Sequence, residues 1–218
     1  MKQTTKKKTE GTLVAFLLDR TGSMASVKQE TIGGFNGYLD ELLKRPESKS
    51  IRFHFTQFDT VSIDLVHDCV PLSKVSKLTD KTYEPRGGTP LYDAIGKTIR
   101  AIQDKVNGDK VLFVTLTDGE ENSSSEWNQA TIKALIKEKE DKDKWTFSYI
   151  GVGPDAWAAN AHLAAGTMGA SNVLRSTGKN TLRAYSMMAD ATMRVSHSIG
   201  GQCVSGLYGG HHLDKDDE

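Results

Sequence analysis

The sequence contains few of the residues that cross-link a protein or break its regular structure. Its 218 residues include only two cysteines, Cys69 and Cys203, and five prolines. The two cysteines lie far apart and outside any CxxC spacing, which favours buried, reduced thiols over a disulfide framework. A chain of this length buries a large core without disulfides. We therefore expect one domain, located in the cytoplasm.

An excess of charge is also lacking. Lysine plus arginine and aspartate plus glutamate each number 28, so the formal net charge is zero. Such a chain has no overall field that attracts nucleic acid or an anionic membrane. We expect neither as a partner, and any partner has to be recognised by a local site.

No apolar run is long enough to cross a membrane. The run Thr12–Leu18, which follows a lysine-rich start, has about a third of the roughly 20 residues that a span needs. Asp19 and Arg20 close this run, where a signal-peptide cleavage region would be small and neutral. We interpret residues 1–10 as a basic arm, and the run as the first strand of a domain over residues 11–199.

The order of apolar patterns along the chain predicts an α/β fold. A helix over 25–44, with glycines 33, 34 and 37 letting it lie close to the sheet, is followed by a hairpin over 51–58 and 61–66. Later strands alternate with helices, and Ser123–Ser125 offer an N-cap for one of them. We predict a doubly wound, mostly parallel six-stranded sheet with one antiparallel edge strand and helices on both faces. His54 and His67 occupy polar positions of the hairpin and are expected at the surface, and residues 200–218 form a glycine-rich, acidic tail.

Three separate segments supply oxygen side chains at the ends of structural elements. The first strand runs into Asp19, Thr21 and Ser23, and the apolar strand 110–117 runs into Asp118. Right-handed crossovers bring the carboxyl ends of parallel strands to one edge of the sheet, which we call the rim. Thr89 precedes a helix and would reach the same rim. These are hard oxygen donors, which suit Mg²⁺ or Mn²⁺.

The three segments together resemble the metal-ion-dependent adhesion site of von Willebrand factor A-type (vWA) domains. The resemblance is carried by Asp19-x-Thr21-x-Ser23, by Thr89 in Gly-Gly-Thr-Pro and by Asp118 in Thr-Asp-Gly-Glu-Glu-Asn. The family usually has serine where this chain has Thr21. Other stretches, such as Thr-Ile-Gly-Gly-Phe-Asn from position 31, are similar to small stand-alone vWA proteins of bacteria and their phages.

The resemblance implies a role for each of these oxygens. Thr21 and Ser23 would bind Mg²⁺ directly, Thr89 and Asp118 would exchange direct and water-mediated contact, and Asp19 would bind mainly through water. The ion would then accept an Asp or Glu of a partner protein as its last ligand. The residues expected to surround the ion and select the partner are Arg20, Met24, Arg86, Glu120, Glu121 and Asn122.

Two other functions stay open at this stage. A strand that ends in Asp-x-Thr also resembles the nucleophile motif of haloacid-dehalogenase-type phosphatases, which would make the chain a Mg²⁺-dependent phosphohydrolase. That family normally has a second aspartate at the position of Thr21, and its lysine and distal acidic pair are not evident. A structural component of a phage or virion is the third possibility, because a fold does not determine a role. We favour a non-enzymatic, metal-dependent binding module.

Overall fold

The computed structural model describes residues 11–119, 121–152, 163, 171–176, 181–199 and 202–209. Six strands form one sheet in the order β3-β2-β1-β4-β5-β6. They are β1 (Thr12–Asp19), β2 (Ile51–Phe58), β3 (Ile63–Pro71), β4 (Lys110–Thr117), β5 (Thr146–Val152) and β6 (Val173–Ser176). The described helices are α1 (Lys28–Leu43), α2 (Leu91–Ile102), α3 (Gln129–Asp143) and α4 (Thr181–His197). Strand β3 pairs antiparallel with β2 and the other pairs are parallel, which confirms the predicted fold class.

Strand β1 lies at the centre of the molecule, and all of its residues are buried. Phe16 and its alternate neighbours pack with Phe35 of α1 and Met188 of α4 on one face of the sheet. Leu17 and its neighbours pack with Ile95 of α2 and Ile132 of α3 on the other face. Both faces of β1 are therefore covered, which explains why the strand is apolar without alternation.

The parallel pairing brings three strand ends to the rim. Asp19 at the end of β1 lies opposite Phe58 at the end of β2, and Leu18 lies opposite Leu116 of β4. The loops that follow these three strands therefore start side by side. This is the edge at which open α/β sheets bind ligands.

The glycines of α1 have a different role from the one predicted. The chain first forms a 3₁₀ helix over Gly22–Val27, and α1 begins at Lys28. A Cβ on Gly34 would lie 2.0 Å from the ring of Tyr185, so this glycine lets α1 approach α4 and not the sheet. No described atom lies within 4 Å of a Cβ placed on Gly33 or Gly37. One glycine of the three thus permits a close contact, and it is a contact between helices.

Two other local predictions are wrong. His54 is 1% exposed and not at the surface, because β2 is an interior strand and His54 lines a pocket with Thr98 of α2. The N-cap of α3 is Asn128, whose side chain accepts a hydrogen bond from the Thr131 N–H while Thr131 Oγ1 accepts one from the Asn128 N–H. Ser123–Ser125 therefore do not cap this helix.

The packed structure continues beyond the predicted boundary at residue 199. Leu207 and Tyr208 are buried, and Leu207 donates its N–H to Asn172 Oδ1. The basic arm over 1–10 and the end of the tail over 210–218 lie outside the described residues. Among the helices that the structure describes, none combines the length and apolar character needed to cross a membrane.

Candidate metal centre at the rim of the sheet

The hydroxyls of the loop after β1 lie next to a carboxylate of the loop after β4. Thr21 Oγ1 is 3.2 Å from Ser23 Oγ, and Ser23 Oγ donates to Asp118 Oδ1 at 2.7 Å. Neighbouring corners of an octahedron around Mg²⁺ are about 3.0 Å apart when each oxygen is about 2.1 Å from the ion. The two observed separations bracket that value, so Ser23 Oγ has the spacing of a ligand adjacent to each of the other two oxygens.

Thr89 reaches the same place from the loop before α2. A Cβ placed on Gly119 would lie 3.4 Å from Thr89 Oγ1 and 3.6 Å from Ser23 Oγ. Both hydroxyls therefore border the backbone of the residue that follows Asp118. The structure brings all three predicted segments together.

Asp19 lies beneath these oxygens and is 0% exposed. Its Oδ1 accepts from the Thr21 N–H at 2.7 Å, and its Oδ2 accepts from the hydroxyl of Thr117. Burial raises the pKa of Asp19 to about 6 against the effect of these hydrogen bonds, and the negative charge of Asp118 adds to the rise. Burial also raises the pKa of Asp118. Two desolvated, neighbouring carboxylates make the centre favourable for a cation.

Hydrogen bonds between the loops hold this arrangement. The buried Tyr83 hydroxyl donates to the Asp19 carbonyl at 2.7 Å, and the Gly22 N–H donates to the Gly87 carbonyl at 3.0 Å. Gly87 has φ of +68°, and a Cβ there would lie 2.4 Å from Thr60 Oγ1. Only glycine fits this turn without strain. The backbone conformation of the turn before Thr89 therefore requires glycine at position 87. The sequence shows the glycine pair 87–88 but not this requirement.

Arg20 and Arg86 are organised by Asp59, a residue that sequence reasoning missed. The buried Asp59 Oδ2 accepts from Arg20 Nε at 2.8 Å and from Arg86 Nε at 3.0 Å. Burial alone would raise the pKa of Asp59, but hydrogen bonds from the backbone of Ser62 and from Arg86, among others, hold it below its usual value. Asp59 follows directly on β2, so a carboxylate at the end of a third parallel strand was the available signal.

The predicted partner-contacting residues divide into two groups. Arg20 is 9% exposed and bound to Asp59 and Asp64, and Met24 is 0% exposed in the core, so neither is available to a partner as predicted. Arg86 and Asn122 are exposed, Glu121 is partly exposed, and Glu120 lies outside the described residues.

Glu121 and Asn122 also shape the loop that follows Asp118. Glu121 accepts hydrogen bonds from the N–H groups of Tyr92, Ser123 and Ser124. Asn122 Oδ1 accepts the N–H of Thr89 at 2.9 Å. These two side chains therefore link the loop after β4 to the start of α2, whatever contact they make with a partner.

Comparison with known proteins identifies the fold from structure and not from sequence. No family model matches the sequence, and no curated protein matches it. Similar solved structures include the vWF domain of the type V pili tip protein Mfa5 from Porphyromonas gingivalis, with a TM-score of 0.67 and 10% identity over 87% of this chain and 98% of that one. The pilus adhesin SpaC from Lactobacillus rhamnosus GG in an open conformation has a TM-score of 0.64 and 10% identity over 87% of this chain and 31% of that one.

A third similar structure is the manganese-loaded TRAP protein from Plasmodium vivax. Its TM-score is 0.57 at 16% identity, over 80% of this chain and 72% of that one. These identities are too low to carry a function across. The structural similarity nevertheless extends over at least 80% of this chain in each case, with TM-scores of 0.57 to 0.67. The chain therefore has the fold of von Willebrand factor A-type domains.

Proposed function

We propose that this chain is a metal-dependent protein-binding module, in which Mg²⁺ or Mn²⁺ at the rim recruits a carboxylate of a partner protein. The observation that carries the proposal is the spacing of Thr21 Oγ1, Ser23 Oγ and Asp118 Oδ1, at 3.2 and 2.7 Å. Thr21 and Ser23 would bind the ion directly, and Thr89 and Asp118 would do so directly or through water. Asp19 would bind mainly through water, as the resemblance to vWA domains implies, and its two oxygens also accept hydrogen bonds from Thr21 and Thr117.

The chemistry of this donor set leaves the ion in need of a further ligand. The two carboxylates, Asp19 and Asp118, neutralise the double charge, and the hydroxyls of the site are neutral. Mg²⁺ requires six oxygens in octahedral geometry, so water or an outside oxygen completes the shell. Ser23 is exposed and Asp118 partly so, which opens this side of the centre to solvent. An Asp or Glu of a partner would enter here.

The environment of Asp19 favours binding over phosphoryl transfer. A nucleophilic aspartate has to reach the phosphorus of a substrate, whereas Asp19 is 0% exposed and is held by Thr21 and Thr117. Among the described residues, no histidine or cysteine appears in the hydrogen bonds of this centre to act as a base. We therefore assign the centre a binding role.

The surface around the ion would select the partner. Arg86 is exposed beside the centre and Asn122 borders Thr89, and we propose that these two, with Glu120 and Glu121, contact it. A net charge of zero gives no reason to expect nucleic acid or membrane as that partner. The free thiols of Cys69 and Cys203 agree with a cytoplasmic, reducing location.

Capture of partners with and without metal tests this proposal. The immobilised chain is exposed to cell lysate in Mg²⁺, and we expect the bound proteins to be released by EDTA and to rebind when Mg²⁺ is restored. Asp118→Ala should capture none of them, because it removes an ion ligand and half of the negative charge of the centre.

The matched control is Asp104→Ala, which removes an exposed carboxylate from the segment that follows the C-terminal end of α2, away from the rim. This variant should capture the same proteins as the unaltered chain. If EDTA and Asp118→Ala leave every partner bound, then the rim does not act through a metal.

A further inference from the structure

A second cluster of metal-binding side chains lies in the hairpin of β2 and β3. His54 Nδ1 is 3.5 Å from Asp68 Oδ1 and 3.7 Å from Cys69 Sγ. One ligand atom from each of the three residues lies within 4.8 Å of the other two. Among the described residues, this is the group of histidine, cysteine and acidic side chains close enough to hold one ion.

The two separations measured from His54 Nδ1 are close to those of a tetrahedral zinc site. With Zn–N and Zn–O distances of about 2.0 Å and a Zn–S distance of about 2.3 Å, adjacent nitrogen and oxygen ligands are about 3.3 Å apart. Adjacent nitrogen and sulfur ligands are then about 3.5 Å apart. The observed distances from His54 Nδ1 exceed these values by about 0.2 Å each. A small movement of Asp68 Oδ1 and Cys69 Sγ toward His54 Nδ1 would bring both distances to those of a zinc site.

A β-bulge brings consecutive residues of β3 to one residue of β2. Phe53 pairs with Val70 and Phe55 pairs with His67, so Asp68 and Cys69 both lie opposite His54. In a regular strand, consecutive side chains point to opposite faces and could not meet the same partner. The bulge removes this alternation, as bulges at functional sites do.

The backbone of Cys69 is part of this bulge and adopts φ of +51°. The left-handed region is unfavourable for a cysteine and is retained where the surrounding structure imposes it. The result places a thiol beside a buried imidazole. Asp68 is exposed and Cys69 partly so, which gives an ion a path from solvent.

We propose that His54, Asp68 and Cys69 bind a divalent transition metal of the zinc class, with water as the fourth ligand. A nitrogen, an oxygen and a sulfur donor suit Zn²⁺ or Co²⁺, unlike the all-oxygen set at the rim. Three protein ligands leave one position open. The two centres therefore select different ions.

Lys105 competes with the metal for the carboxylate of Asp68. Its Nζ contacts Asp68 Oδ1 at 2.8 Å and Oδ2 at 2.7 Å. A metal that takes one of these oxygens has to displace or share the ammonium group. Removal of this group should therefore increase metal affinity, by about two- to fivefold for an ion pair between an exposed and a partly exposed side chain.

Titration of the full chain with Co²⁺ under reducing conditions tests the proposal, because a thiolate bound to Co²⁺ gives a charge-transfer absorption. We expect this absorption in the unaltered chain and its loss in Cys69→Gly, with affinity lower by about a hundredfold or more. Glycine tolerates the positive φ at this position, so the fold should persist in this variant by circular dichroism. The matched control is Cys203→Ala, which removes the other partly buried thiol and should keep the absorption.

Two further variants complete the test. Asp118→Ala disables the rim and should leave the thiolate absorption unchanged, whereas Lys105→Met should strengthen Co²⁺ binding. Absence of the absorption at saturating Co²⁺, or its equal loss in the Cys69 and Cys203 variants, would overturn the site. Unchanged or weaker binding by Lys105→Met would overturn Asp68 as the third ligand.

Discussion

Thr21 is the residue at which this chain departs from the usual adhesion-site motif. Its hydroxyl lies 3.2 Å from Ser23 Oγ, and the side chain is buried. Thr21→Val keeps the shape of the side chain and removes the oxygen, so we expect affinity for Mn²⁺ to fall by about ten- to a hundredfold. Thr21→Ser keeps the oxygen and should retain binding. Titration with Mn²⁺, in which electron paramagnetic resonance detects the free ion, measures the affinity of both variants. Equal affinities of Thr21→Val and Thr21→Ser would show that Thr21 is not a ligand.

Gly34 is the residue at which helix packing is most sensitive to size. A Cβ there would lie 2.0 Å from the ring of Tyr185, which is itself buried. Gly34→Ala should therefore lower the free energy of unfolding by about 1–3 kcal/mol through overpacking. Gly33→Ala is the matched control, since no described atom obstructs its Cβ, and it should raise stability by up to about 1 kcal/mol. Urea denaturation compares the two, and a stabilising Gly34→Ala would contradict the packing argument.

The residues that were predictable from sequence are those whose position follows from their neighbours along the chain. Asp19 ends one apolar strand and Asp118 follows another, so their place at the rim follows from strand direction alone. His54 and Met24 were misplaced, because their burial depends on which helix covers them. Apolar and polar residues alternate along β2, which predicts one exposed face, whereas the strand is buried along nearly its whole length.

At the scale of elements, Asp93 fastens the segment before α3 to the first turn of α2. Its buried carboxylate accepts hydrogen bonds from the N–H groups of Ser125, Glu126 and Trp127 at 2.9–3.0 Å. Burial alone would raise the pKa of Asp93, but these donors outweigh it and hold the pKa below its usual value. The ionised form is therefore the one that the fold stabilises.

The lowered pKa of Asp93 gives a prediction with a defined sign. The unfolded chain protonates Asp93 near pH 4, and the folded chain does so at a lower pH, so the contribution is complete above pH 4. It is lost as the pH falls through the folded-state pKa. Asp93→Asn should lower the free energy of unfolding by about 1–3 kcal/mol at pH 7, with a smaller difference from the unaltered chain below pH 4. Urea denaturation across this range measures it.

Asp104→Asn is the control for Asp93, since Asp104 is an exposed carboxylate just beyond the other end of α2. It should change stability by less than about 0.5 kcal/mol. A difference between Asp93→Asn and the unaltered chain that stays constant down to pH 2 would show that the charge of Asp93 is not what fastens the segment.

Helices and strands were predictable where their pattern is periodic, and their ends were not. The N-cap of α3 is Asn128, although Ser123–Ser125 are also suitable residue types. The serines instead bind acidic side chains, as Ser124 does with Glu121 and Ser125 with Asp93. Such choices depend on tertiary partners, which composition and spacing do not show.

At the scale of the whole molecule, topology explains why the rim could be located without coordinates. The parallel order β2-β1-β4 places three strand ends side by side, and right-handed crossovers leave few other arrangements. The bulge in β3 could not be predicted from the sequence. A shift of register depends on how two strands pair, and the alternation of apolar and polar residues does not reveal it. The convergence of Thr21, Ser23 and Asp118 therefore followed from chain order, whereas the grouping of His54 with Asp68 and Cys69 did not.

Binding at the rim, if the proposed function is correct, should stabilise the whole molecule, since the ion would bind loops that meet only in the folded chain. At a Mg²⁺ concentration a hundredfold above the dissociation constant, the gain is about 2.7 kcal/mol, which raises the Tm of a domain of this size by about 5–10 °C. Asp118→Ala should lose this shift, and Asp104→Ala should keep it. Differential scanning calorimetry with and without Mg²⁺ measures the effect. A shift of the same size in Asp118→Ala would mean that Mg²⁺ stabilises the fold from elsewhere and that the convergence of the three segments serves another purpose.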